Sequence, residues 1–125
     1  MNIIPLEPIK AIFPDLNWRD NIGNGMAIGE SPETKITIAP DNTVRILFGD
    51  LAEPIHALLT HLTGNETASR EYLQKAIAEA DEYPTLPYHD HIGEVGARVV
   101  RRVAIEKQFH ELYVVLPKPA ATPAS

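Results

Sequence analysis

The stretch 34–50, Thr-Lys-Ile-Thr-Ile-Ala-Pro-Asp-Asn-Thr-Val-Arg-Ile-Leu-Phe-Gly-Asp, leaves this chain few ways to fold. Ile36 and Ile38 alternate with Lys35 and Thr37, and Val44, Ile46 and Phe48 alternate with Thr43, Arg45 and Leu47. Successive strand side chains point to opposite faces, so each arm gains one apolar face. Pro40, Asp41 and Asn42 supply turn chemistry between the arms. The pattern predicts a β-hairpin over 34–48 that feeds directly into a helix. Asp50 and Glu53 match a capping box; with Glu53 as the cap instead, Pro54 falls at the first helical position, where its missing N–H costs nothing. Ile55, Leu58, Leu59 and Leu62 then form an apolar stripe facing the sheet. Gly64 ends that helix and Asn65 caps the next.

The second helix, over 66–82, places Tyr72, Leu73, Ala76, Ile77 and Ala80 on one face. Its last turns carry Glu79, Asp81 and Glu82, the wrong sign for a helix C-terminus, and Arg98, Arg101 and Arg102 are the expected internal counter-charges. The segment 92–109 fits two descriptions. Ile92, Val95, Val99, Val103 and Glu106 follow helical spacing, while the β-branched run around Val99 and Val100 suits a strand. Helix is favoured because no Gly, Asn or Pro lies between this segment and the strong strand at 111–117 to make a hairpin turn.

Upstream, 1–18 is a proline-containing arm expected to lie over the core with one helical turn near 7–13. Asn24-Gly25 suits a tight turn between two short extended arms. Gly23, Gly25 and Gly29 do not make a phosphate loop, because Ser31-Pro32-Glu33 and a strand follow where a helix is required. The tail 118–125 lacks core-forming residues and is expected to be disordered.

These elements predict one α+β domain over 1–117: a small, mainly antiparallel sheet, made of the hairpin 34–48 and the strand 111–117, with two or three helices on one face. The other sheet face would need cover from the N-terminal arm or from a second copy in a homodimer. A length of 125 residues with 44% hydrophobic content supports one core. A net charge of −6 disfavours general nucleic-acid binding, leaving Arg98, Arg101 and Arg102 as the place for a weak contact of that kind. The absence of cysteine excludes disulfides, thiolate catalysis and cysteine-ligated metal. No basic leader and no run of about 20 apolar residues is present, so a cytoplasmic location without membrane contact is expected.

One cluster has metal-ligand chemistry. His89, His91 and Glu94 combine two imidazoles with a carboxylate, a set suited to a divalent transition metal in a metal-binding protein or a metal-dependent enzyme built on His89-Asp90-His91 if the groups converge, and otherwise to capping by Asp90. His56 and His61 do not share a helix face and read as flanking or surface residues. No serine sits in a nucleophile elbow. The remaining expectation is a non-enzymatic protein-binding or adaptor domain with no cofactor, which would meet another protein through Tyr83, Tyr88, Arg98, Arg101 and Arg102.

Overall fold

The computed structural model describes residues 6–22, 26–39, 41–49, 53–104 and 107–117. Three helices and seven strands follow in the order α1 (Leu6–Ile12), β1 (Asn17–Ile22), β2 (Met26–Glu30), β3 (Thr34–Ile38), β4 (Thr43–Phe48), α2 (Glu53–Thr63), α3 (Glu66–Glu82), β5 (Tyr88–Ile92), β6 (Val95–Ala104) and β7 (Lys107–Val115). The strands form one antiparallel sheet of order β1-β2-β3-β4-β7-β6-β5. The domain is thus α+β, as the patterning predicts, with a sheet that extends well beyond the hairpin and the C-terminal strand.

The predicted hairpin forms in the expected register, from Thr34↔Phe48 to Ile38↔Val44. Asn42 takes the left-handed backbone of the turn at φ 69°, a conformation that its short amide side chain tolerates. Asn65 caps α3, its side chain accepting the Ala68 N–H at 3.0 Å. Asp50, Gly23 and the turn at Asn24-Gly25, and the tail 118–125 lie outside the described residues.

Two expectations are corrected. Segment 92–109 is not helical: it supplies the end of β5, all of β6 and the start of β7. Val95, Ala97 and Val99 alternate on the buried side, and β6 pairs with β7 continuously from Gly96↔Val115 to Ala104↔Lys107. The connection is only 105–106, Ile-Glu in sequence, so long-range pairing decides a hairpin that no turn residue announces. The N-terminal arm is part of the core rather than a cover for it: Ile9 is fully buried and Phe13 nearly so, on the side where the helices pack.

One core fills the space between the helices and one sheet face. Ile36, Ile46, Leu112 and Val99, consecutive partners across four strands, meet Leu58 and Leu59 of α2 and Leu73 of α3 in a single cluster, all of them fully buried. Trp18 packs at the β1 end, its Nε1–H donating to the Phe13 carbonyl at 3.2 Å. It lies flat on Gly29, where a Cβ would stand 2.7 Å from ring carbons, so only glycine fits beneath the indole. No helix among the described residues is long and apolar enough to cross a membrane.

Candidate functional site

With the helices on one side, every second strand residue turns to the other face. One cross-strand row on that face spans the whole sheet: Arg19, Ile28, Thr37, Arg45, Tyr113, Arg98 and His89. The Tyr113 ring lies between two guanidinium groups, Arg98 at 4.9 Å and Arg45 at 5.8 Å from its centroid. Cations are drawn to the face of an aromatic ring, so the three side chains hold one another in place. Beside them Glu111 is only 5% exposed and meets Arg102 at 2.9 Å and Arg45 at 3.3 Å. Its single carboxylate is shared between those two arginines, whereas Arg98 has no carboxylate partner among the described residues.

Next to Arg98 the end of the sheet opens into a hollow of about 510 Å³, lined by His89, Asp90, His91, Glu94, Arg98, Tyr113 and the apolar Val115, Leu116 and Pro117. Strand geometry explains the grouping. His89 and His91 stand two apart on β5, opposite Arg98 and Gly96 of β6, so both imidazoles take the open side. Glu94 sits in the two-residue turn that closes the hairpin at Ile92↔Val95, where Gly93 has the positive φ of 64° that the first position of a type II′ turn requires. Val115 is 42% exposed and gives the hollow an apolar wall. On the opposite side of β5, a smaller hollow of about 270 Å³ is lined by Tyr72, Lys75, Tyr88, Asp90 and Glu71.

The residues singled out in the sequence divide between the two faces. His89, His91, Glu94 and Arg98 come together at the larger hollow, and Arg102 shares their face. Among the described residues, however, no three His, Asp or Glu side chains gather closely enough to hold a metal ion. Arg101 falls on the helix side, opposite His110, because in a strand 98 and 102 share a face and 101 does not. Tyr88 turns inward: its ring lies 5.9 Å from that of Tyr72 and its carbonyl accepts the Tyr72 hydroxyl at 3.1 Å. Burial pushes the Tyr72 phenol well above its ordinary titration range, with Tyr88 and Asp90 adding to the shift. Tyr83 is the C-cap of α3 and stays 49% exposed.

Arg98 and Arg102 do not offset the acidic end of α3, because the sheet lies between them and the helix. His110, on the helix side, reaches the acidic end of α3, with Nε2 2.8 Å from the Asp81 carboxylate, Nδ1 3.2 Å from the Gly49 carbonyl and its ring stacked on Phe48. His56, read from the sequence as a flanking or surface residue, is buried on α2. Sequence reasoning passed over Tyr113, Arg45 and Glu111; the period-two pattern puts 111 and 113 on one face, but only the β4–β7 pairing brings Arg45 to them. No protein-family model, curated protein or solved structure matches this chain.

Proposed function

We propose that this is a non-enzymatic protein-binding domain that meets its partner on the open sheet face at the β5–β6–β7 end. The observation that carries this reading is the pairing of an unneutralised guanidinium, Arg98, with an apolar wall at Val115 in one hollow. Protein recognition combines such elements, burying apolar surface while a placed charge fixes orientation. The metal alternative draws less support, since among the described residues no three His, Asp or Glu side chains gather closely enough to hold an ion. Nucleic-acid binding is weakened by the net charge of −6 and by Glu111, which offsets one of the charges of Arg45, Arg98 and Arg102. A second copy of the chain is one form the partner can take, and sedimentation of the purified chain distinguishes it from a heterologous one.

The test is capture from the native lysate with three baits: the wild-type chain, an Arg45→Ala/Arg98→Ala variant, and Gln74→Ala, which alters an exposed position on α3. A partner held by the wild type and by Gln74→Ala, and released by the double variant, is the expected result. A partner retained equally by all three overturns the reading.

A further inference from the structure

The strand β5 is the feature that gives this surface a mode of recognition. The sheet has two edges, and they differ. The β1–β2 register shifts between Arg19 and Ile22, an irregularity that disrupts an edge as a template for pairing. The β5–β6 register is unbroken over all five residues, and among the described residues β5 has a strand neighbour on one side only. Because the hairpin closes on Ile92↔Val95, the alternating residues His91 and His89 turn their backbone N–H and C=O away from β6. The hydrogen bond from the His91 N–H to its neighbour's Asp90 Oδ1, at 2.7 Å, agrees with this orientation: the group faces outward and a local carboxylate occupies it. A hollow lies on each side of the strand.

An edge with outward backbone groups and a depression on either face has the geometry of strand addition, in which main-chain hydrogen bonds give affinity and alternate side chains give specificity. Resting on the protein-binding reading, we infer that β5 receives an extended segment of the partner as an eighth, antiparallel strand. The segment would carry an apolar residue two positions before an acidic one. Its chemistry follows from the two positions on the open face. A residue opposite His89 lies in line with Arg98, which has no carboxylate partner among the described residues, and is acidic. A residue opposite His91 joins the row of His91, Gly96 and Val115 at the rim of the hollow that Val115, Leu116 and Pro117 line, and is apolar. Glu94, on that same side of the hollow, disfavours a second acidic residue there. Antiparallel addition continues the rest of the sheet and places the apolar residue first, since the partner strand passes His91 before His89. The incoming carbonyl takes the His91 N–H from Asp90, exchanging one hydrogen bond for another.

A random heptapeptide display library, selected on the full chain, tests this directly. Selection on the wild type and on His89→Ala enriches peptides with an apolar residue two before an acidic one, and selection on Arg98→Ala loses the acidic preference. His89→Pro, which deletes one outward N–H and no β5–β6 bond, enriches none. The best peptide, resynthesised with N-methyl groups on the backbone amides facing β5, loses affinity by about tenfold or more. The inference falls if the wild type enriches no such pattern, or if N-methylation leaves affinity unchanged. A lysate partner that is released by Arg45→Ala/Arg98→Ala yet held by His89→Pro overturns strand addition and leaves the protein-binding reading standing.

Discussion

Tyr72 and Glu111 are polar groups taken out of water in opposite ways. The Tyr72 phenol is kept neutral by burial and donates to the Tyr88 carbonyl. Its folded-state titration lies above that of the unfolded chain, near pH 10 for an ordinary tyrosine. The native state therefore holds this proton more tightly, and the associated stability is complete below about pH 10 and is lost as pH rises toward the folded value. Urea midpoints measured from pH 8 to 11 should fall less steeply for Tyr72→Phe than for the wild type, and the variant should cost about 1 kcal/mol at neutral pH for the lost hydrogen bond. Glu111 is the reverse case, a buried carboxylate that pairs with two arginines that are themselves more than half exposed. Removing both arginines strands a buried charge, whereas removing the carboxylate leaves two cations that water can solvate. Arg45→Ala/Arg102→Ala should thus cost about 2–3 kcal/mol, more than Glu111→Ala, an order that chemical denaturation of the two variants checks.

Element by element, local signals located what local physics controls. The cap at Asn65, the leucine stripe of α2, the apolar face of α3 and the 34–48 register were all legible, because each depends on residues within a few positions of one another. Asn65→Ala should accordingly lower stability by about 1 kcal/mol, read as a shift in thermal midpoint, because the Ala68 N–H loses its acceptor. The β6–β7 hairpin was illegible for the converse reason. The Val99-Val100 region satisfies either period, the residues at 105–106 are not turn formers, and the deciding contacts are with β4 and β7. The same error dispersed the arginines. Read as a helix, 98, 101 and 102 form one patch; read as a strand, they split across the sheet. His89 and His91 share a face because residues i and i+2 do so on a strand, but the strand itself, like their neighbours Arg98 and Tyr113, required the topology.

For the whole molecule, the division between a packed face and an open face makes neighbouring residues on one strand respond differently. Ile46 is fully buried against the helices and Leu47 turns to the open side. Ile46→Ala should cost about 2–5 kcal/mol and Leu47→Ala under about 1 kcal/mol, measured by denaturant unfolding. A similar cost for both would mean that the open face is covered in solution. The strand order has a further consequence, in time rather than in energy. β1–β4 and β5–β7 are each simple meanders whose neighbours follow in sequence, and only the β4–β7 seam joins them, pairing Phe48 with His110 across the two intervening helices. Short-range hairpins close quickly and long loops close at greater entropic cost. The seam is then the slow step of folding: changes along Val44, Ile46, Leu112 and Val114 should retard refolding, while changes confined to β1 or β5 should chiefly hasten unfolding.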